Sequence, residues 1–489
     1  MPITDILQMV GRAGRPQFND KGFACVYVEK SKKNFYRKYL NDPFPIESRL
    51  TTQLAEHLNA EINSGTITNK QSCMDYLTWT YWFRRITRNP LFYEIPSNDS
   101  KAVQKYIVDM IDKICLELKA SGSIEISEDG FELTPTFLGS LASSYYIQHK
   151  SIKYLASKLK EGQSIYQLLE ILSHCEEYDE VPMRHNEENL NAALAEICPY
   201  PVDKSKYECP KVKTLLLFQA YFSGAPLPIR DYITDTKLVL DSAVRFLQAM
   251  IDLTAERGHL DTLLNLMYVC QMLTQGCWLH ESSLVNVPHF NETVIERLRE
   301  TEKIEHLCQL ILLQTKGLLK PFMKSLNCGL TSRELDDIDE CIKKIPDVNF
   351  RARIFDFDSE EMAPVLKEGV RLKNRDELYA VIDCKRYNHN YPLKVTMKKL
   401  TKIKDFSWWI LVCNIEENKV YSLKKTFFKT TLHREFQFSL ANRKSSKVDI
   451  MLISDSFVGI DQVIQIDLDD YKTQEPPKPK NTKPADATK

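Results

Sequence analysis

The sequence has no apolar stretch that approaches the roughly 18 residues needed to cross a membrane. Its first residues, Met1 to Asp5, lack both the basic start and the apolar core of a secretory signal. We therefore expect neither a membrane span nor a cleaved signal peptide.

Cysteines at the spacing of a metal site are also missing. The 13 cysteines are scattered and none forms a Cys-x-x-Cys pair. The closest two, Cys270 and Cys277, have no histidine at the spacing of a zinc ligand set. We predict no metal site and reduced thiols, which is the usual state of cysteine in the nucleus and cytoplasm.

An excess of charge of either sign is absent as well. The chain has 65 Lys and Arg against 66 Asp and Glu, which gives a formal net charge of −1. Proteins that hold nucleic acid over a large surface usually show a basic excess. The balance therefore leaves room only for a local basic track. At 489 residues, of which 43% are hydrophobic, the chain is long enough for three or four packed domains.

The most informative segment present runs from Gln8 to Arg15 and contains Gly11-Arg12-Ala-Gly14-Arg15. A guanidinium group is a planar fork of donors that stays charged and matches phosphate oxygens bidentately. Glycine allows the backbone to approach a ligand closely. By itself, such a cluster also occurs in ordinary basic loops, so the residues alone leave both interpretations open.

The surrounding residues 2–17 resemble the last helicase motif, motif VI, of the superfamily 2 DExH helicases. Within them the chain resembles the Ski-two-like helicases with a Sec63-type C-terminal domain. The intact Gly11–Arg15 motif favours the branch that works in a transcription cointegrator complex over the spliceosomal branch. Further segments resemble the same family in the same order: 35–48, 57–71, 76–81, 182–187 and 215–222.

This resemblance implies a nucleotide site. Arg12 and Arg15 would be arginine fingers facing the γ-phosphate, with Gln8 and Gly11 also close to the ATP phosphates. The intact enzyme would use ATP and Mg²⁺ and unwind 3′ to 5′. The sequence contains neither a Gly-x-x-x-x-Gly-Lys-Ser/Thr loop nor a DExH box. We therefore expect a chain truncated at its N-terminus that by itself binds no cofactor and hydrolyses no ATP.

The pattern predicts a multidomain, mainly α protein with a C-terminal all-β sandwich. Helices are predicted at 49–62, 70–88 and 101–121, a hairpin turn at 128–130, and a buried parallel strand at 23–28. The resemblance supplies the domain names. They are a remnant of the second RecA-like lobe (1–40), a winged helix (41–140), a helical ratchet bundle (141–285), a helix-loop-helix (286–347), an immunoglobulin- or fibronectin-like sandwich (348–470) and a disordered tail (471–489).

One predicted helix, 235–258, begins near an aspartate and ends before a glycine. Six apolar residues make its core stripe: Leu240, Ala243, Val244, Leu247, Met250 and Ile251. Five polar residues form the opposite stripe: Asp241, Arg245, Gln248, Asp252 and Glu256. By resemblance this is the ratchet helix, on which Ser242, Arg245 and Gln248 contact a single strand. The alternative is a solvated stripe with i,i+4 charge pairs.

Two further clusters are predicted to be structural. The histidine and carboxylate in 182–187 have no nucleophile or metal ligand at a suitable spacing, so we expect a hydrogen-bonded corner. Trp79 and Trp82, three residues apart on a predicted helix, are expected in a core. The arginines around them (Arg84, Arg85 and Arg88) are expected to hold neighbouring lobes.

Two functions remain open. In the first, the chain is the C-terminal part of a helicase, and its partners are single-stranded DNA or RNA, the missing helicase lobes and, by resemblance, other cointegrator-complex subunits. Roles in DNA repair and ribosome quality control, in nucleus and cytoplasm, would follow from that resemblance. In the second, residues 140–470 form a protein-interaction scaffold that moves no nucleic acid.

Overall fold

Helices occupy most of the chain as far as Lys344, and antiparallel strands occupy most of the remainder. The computed structural model describes residues 3–15, 17–41, 46–95, 99–356, 377–395, 404–439 and 447–468. The tail predicted to be disordered, 471–489, lies outside the described residues. No helix among those described is long and apolar enough to cross a bilayer.

The helices are, in chain order, α1 Ile3–Val10, α2 Lys33–Asn41, α3 Leu54–Asn63, α4 Lys70–Thr78, α5 Tyr81–Ile86, α6 Ser100–Ala120, α7 Phe137–Tyr145, α8 His149–Lys158, α9 Ile165–Ser173, α10 Glu187–Ile197, α11 Pro210–Ser223, α12 Arg230–Arg257, α13 Leu260–Gln275, α14 Glu292–Glu302, α15 Leu307–Thr315, α16 Leu319–Ser325 and α17 Ser332–Lys344. The strands are β1 Ile124–Ile126, β2 Leu133–Pro135, β3 Val348–Asp356, β4 Glu377–Arg386, β5 Lys394–Val395, β6 Lys404–Asp405, β7 Trp408–Asn414, β8 Lys419–Thr426, β9 Thr431–Ser439, β10 Lys447–Ser454 and β11 Gln462–Asp467.

The chain divides into two units, and the first comprises Met1–Ala120 with Ile124–Pro135. Its core lies between α3, α4, α5, α6 and the β1–β2 hairpin. The predicted hairpin turn is confirmed, because the Gly130 amide donates to the Ser127 carbonyl. Helices that share a core with a small hairpin are the elements that a winged helix requires.

The single helix predicted at 70–88 is wrong, because the chain breaks between α4 and α5. Thr80 caps α5 by accepting a hydrogen bond from the Phe83 amide, and its hydroxyl also donates to the Leu77 carbonyl. Trp79 and Trp82 therefore lie on different elements. Trp82 is fully buried as predicted, whereas Trp79 is 86% exposed.

The strand predicted at 23–28 is also wrong. These residues form neither helix nor strand and are largely exposed, including Phe23 and Tyr27. Among the described residues no strand pairs with this segment, and an apolar run becomes a strand only with a partner for its backbone groups.

The second unit comprises Ser121–Ser123 with Thr136–Lys489. Its helical half is centred on α11, in which ten of fourteen residues are buried. The other helices from α7 to α13 pack around α11 and share one apolar core with it. A helix this uniformly buried cannot be recognised by a one-sided stripe.

Two antiparallel sheets follow, one of four strands in the order β11-β10-β7-β8 and one of three in the order β3-β4-β9. Every residue of β7 is buried. Trp409 and Leu411 face the core of the helices, whereas Ile410 and Val412 face the core shared with the three-stranded sheet. The predicted C-terminal antiparallel region is present, and β3 and β4 extend it beyond the strands that the sequence indicated.

Candidate functional site

The predicted nucleotide-contacting residues lie in the last turn of α1 and in the loop that follows it. Helix α1 ends at Val10, and the Gly11 amide donates to the Leu7 carbonyl at 2.9 Å. Gln8, Arg12 and Arg15 are exposed. No hydrogen bond or ion pair joins either arginine side chain to another described residue, so both guanidinium groups are accessible to an anion.

Two glycines shape this loop. Gly14 has φ +133°, in a region that side-chain-bearing residues rarely adopt. A Cβ atom at Gly22 would lie only 1.6 Å from the carbonyl oxygen of Ala13. The segment after the motif therefore packs its backbone directly against the loop that carries Arg12 and Arg15, and this approach requires glycine at position 22.

The candidate strand-binding residues lie in the second unit, on α12. This helix spans 28 residues, from Arg230 to Arg257, and ends with Gly258 in the left-handed conformation at φ +78°. The predicted end is thus confirmed and the predicted start is wrong. Asp235 lies inside the helix, where it is buried in a cluster of charged side chains described below.

The structure places Ser242, Arg245 and Gln248 along one side of α12. Ser242 uses its hydroxyl within the helix, donating to the Leu238 carbonyl at 3.1 Å. The Nη1 atom of Arg245 donates to the carbonyl of Tyr146 at 2.9 Å, and its Nε atom is buried without a partner among the described residues. Gln248 is half-buried and makes no hydrogen bond with a described residue. Gln248 is therefore the most available of the three.

The predicted stripes of α12 are partly wrong. Val244, assigned to the core, is 41% exposed. Asp252, assigned to the polar stripe, accepts a hydrogen bond from the Tyr145 hydroxyl at 2.5 Å. Burial raises the pKa of Asp252, although Tyr145 and the nearby Lys425 oppose the shift. The polar stripe is therefore partly covered by other elements rather than fully solvated.

The N-terminal half of α12 is anchored by buried charges. Lys213, which has no exposed surface, donates to Glu187 at 2.7 Å, to Asp235 at 2.8 Å and to the Pro182 carbonyl at 2.7 Å. Arg184 binds Asp235 through both Nη atoms, at 2.7 and 3.2 Å, and also contacts Glu187. Two cations and two carboxylates thus form a hydrogen-bonded group that joins the 182–187 corner, α11 and α12.

Electrostatics favours the ionised forms in this group. Burial would raise the pKa of Glu187 and that of Asp235, but hydrogen bonds from Lys213 and Arg184 outweigh burial and hold both pKa values below their usual range. The corner predicted at 182–187 is therefore structural, as expected, and its histidine, His185, is exposed outside the cluster.

The arginines on and after α5 differ in the same respect: one is held in an ion pair and two are exposed. Arg85 forms an ion pair with Glu47 at 2.5 Å, and Asn89 and Tyr93 also donate to this carboxylate. The hydrogen bond from Arg85 lowers the pKa of Glu47 to about 2. Arg85 is therefore occupied within its own unit, whereas Arg84 and Arg88 are exposed.

Sequence reasoning missed Lys213 and Tyr145. A lysine within the apolar run of α11 was the available signal, since a buried lysine needs a carboxylate partner. No comparable signal marks Tyr145, because its contact with Asp252 joins residues 107 positions apart.

Comparison with known proteins adds family evidence. The Sec63 Brl domain matches residues 135–467, and a Winged Helix-turn-helix domain matches residues 47–128. The Sec63 Brl match covers the helices and strands of the second unit. The Winged Helix-turn-helix match covers α3 to β1.

Three relatives cover nearly the whole chain. The activating signal cointegrator 1 complex subunit 3 of Gallus gallus is 35% identical over 95% of this chain and 22% of its own length. The DExH-box ATP-dependent RNA helicase DExH14 of Arabidopsis thaliana is 35% identical over 94% of the chain and 20% of its length. The U5 small nuclear ribonucleoprotein 200 kDa helicase of Homo sapiens is 29% identical over 96% of this chain and 21% of its own length. The chain spans about a fifth of the length of these relatives. It belongs to the Sec63 Brl domain family and also contains a Winged Helix-turn-helix domain.

Proposed function

We propose that this chain is part of an ATP-dependent nucleic-acid helicase and that α12 guides a single strand during 3′ to 5′ unwinding. The supporting observation is the way α12 is held. The buried cluster around Lys213 fixes its N-terminal half, while its middle presents Gln248 beside Arg245. A rigid helix with accessible polar groups suits positioning of a strand better than a strong electrostatic grip.

The loop at Gly11–Arg15 supplies the second part of the proposal. Arg12 and Arg15 would stabilise charge on the γ-phosphate, with Gln8 and Gly11 near the ATP phosphates and Mg²⁺ supplied with the nucleotide. Its support is the exposure of both guanidinium groups and the absence of an internal ion pair among the described residues.

Binding of a labelled single strand tests the role of α12. Gln248→Ala should weaken binding by roughly two- to tenfold, the loss expected for one hydrogen bond. Arg245→Ala should cost roughly tenfold or more, since the lost bond is charge-assisted. Gln314→Ala provides the control, because Gln314 is also a half-buried glutamine on a helix, α15. Equal affinity of all three variants and the wild type would exclude α12 as the binding element.

A scaffold that binds proteins alone is the second candidate. It is favoured by one observation: Ser242 and Arg245 already make hydrogen bonds within the chain. If the wild type binds neither RNA nor DNA at low salt, where electrostatic contacts are strongest, the scaffold function replaces the helicase function.

A further inference from the structure

A short basic stretch stands out against the neutral balance of the chain. Residues 419–434 contain four lysines and one arginine and no carboxylate, whereas the chain as a whole has a net charge of −1. The five cations are Lys419, Lys424, Lys425, Lys429 and Arg434. They lie on β8, on the turn that follows it and on the first half of β9.

Three of these cations, Lys424, Lys425 and Arg434, line an open groove of about 490 Å³, together with Thr426, His433, Glu435 and Phe436. Strand β8 is the outer strand of the four-stranded sheet, and β9 is the outer strand of the three-stranded sheet. No ladder is formed between them among the described strands. The groove is therefore bordered by β8 and β9, and its lining contains three cationic side chains and one carboxylate, that of Glu435.

Three of the cations are available to a ligand. Lys424 lies over the ring of Phe436 at 5.0 Å, and Lys429 and Arg434 are exposed. None of these three forms an ion pair with a described residue. In contrast, Lys425 lies 3.6 Å from a carboxylate oxygen of the buried Asp455. The free positive charge is thus concentrated on Lys424, Lys429 and Arg434.

Strand β8, which lines one side of the groove, contacts the helix already assigned to strand binding. The Val420 amide donates to the carbonyl of Gly258 at 3.2 Å, at the end of α12. Further along β8, the charge of Lys425 favours the ionised form of Asp252, which lies six residues before Gly258 in the sequence. Strand β8 therefore runs back along α12 in the direction of Gln248.

We propose that the groove between β8 and β9 binds the phosphate backbone of the single strand that passes along α12. The proposal rests on the proposed function and extends its binding track onto the sheets. Lysines on an outer strand also protect it against unwanted pairing. That role does not account for Lys429, which lies in the turn beyond β8, or for the contact that β8 makes with the end of α12.

The test compares two oligonucleotides by fluorescence anisotropy over a range of salt concentrations. The short one, of about 6 nucleotides, covers α12 alone, and the long one, of about 20, reaches the groove. The variant combines Lys424→Glu, Lys429→Glu and Arg434→Glu. Its control combines Lys105→Glu, Lys113→Glu and Lys119→Glu on α6, which change the net charge equally at exposed positions.

The groove variant should bind the long strand at least tenfold more weakly than the control does and bind the short strand as the control does. Its salt slope for the long strand should fall by about 2, since each phosphate contact on a single strand contributes about 0.7. Lys429→Glu alone should show part of this loss. This single substitution, in the exposed turn, keeps the proposal testable if the triple variant misfolds.

Other outcomes separate the two proposals. If the wild type binds neither strand, the proposed function fails. If Gln248→Ala lowers the affinity for the strand as expected but the groove variant binds the long strand as tightly as its control, only the groove proposal is wrong. The groove proposal is also wrong if the variant retains the long strand and instead loses binding of polyglutamate, because the groove then takes an acidic peptide.

Discussion

The Nζ atom of Lys213 lies 2.8 Å from the Oδ2 atom of Asp235, and neither side chain has more than 3% of its surface exposed. This contact joins α11 to the N-terminal half of α12. Lys213→Met should destabilise the second unit by about 3–5 kcal/mol, because it leaves two carboxylates buried with one fewer cation. Urea unfolding measures the loss. The control is Lys211→Met, two residues away and partly exposed, which should cost no more than about 1 kcal/mol.

The carboxyl group of Asp461 should make stability depend on pH in the mildly acidic range. Burial raises its pKa to about 6, despite hydrogen bonds from Gln271 and the Ser454 amide. Because the folded pKa is above the unfolded value, the stabilisation is complete below about pH 4 and is lost as pH rises through 6. The loss is at most about 3 kcal/mol. Asp461→Asn should abolish this part of the pH dependence of urea unfolding. An unchanged slope between pH 5 and 7 would contradict the assignment.

Removal of the Tyr145 hydroxyl should loosen the C-terminal part of α12, where Asp252 lies. Tyr145→Phe deletes a 2.5 Å hydrogen bond to the Asp252 carboxylate and should cost about 1.5–3 kcal/mol, the range for bonds to charged groups. Tyr166→Phe is the matched control, because the Tyr166 hydroxyl donates to a neutral carbonyl, that of Pro201. It should cost only about 1 kcal/mol. Equal losses in thermal or urea unfolding would show that Asp252 is not ionised in this contact.

A methyl group at position 22 should displace the loop that carries Arg12 and Arg15. The Cβ atom of Gly22→Ala would overlap the Ala13 carbonyl, and backbone must move to make room. In a helicase of the relatives' full length that carries this sequence, we expect at least a tenfold loss of strand-stimulated ATP hydrolysis. Lys21→Ala, at the exposed neighbouring position, should leave hydrolysis near the wild-type rate. Normal hydrolysis by the glycine variant would mean that the loop takes no part in the reaction.

Sequence patterns predicted the elements whose signals are local. The end of α12 is an example, because Gly258 adopts the left-handed conformation that glycine favours. Distant contacts were not predictable in this way. Asp235 resembled a helix start in the sequence, yet it is buried because Arg184 and Lys213 reach it from other elements.

The candidate site shows the same division. The nucleotide role of Gln8, Arg12 and Arg15 followed from the resemblance to motif VI and stays a prediction. The hydrogen bond from Arg245 to the Tyr146 carbonyl could not be predicted, because it depends on how α7 packs beside α12. The basic groove was missed for a similar reason: its cations become one surface only when β8 and β9 border the same opening.

Photochemical crosslinking of a 4-thiouridine-substituted single strand to the chain tests the central claim most directly. Mass spectrometry of the digested complex identifies the peptides that touch the strand. We predict crosslinks within Arg230–Arg257, close to Gln248, and their loss in the Gln248→Ala and Arg245→Ala variants. Crosslinks confined to other segments, or none at saturating strand concentration, would contradict the assignment of α12 as the strand-guiding helix.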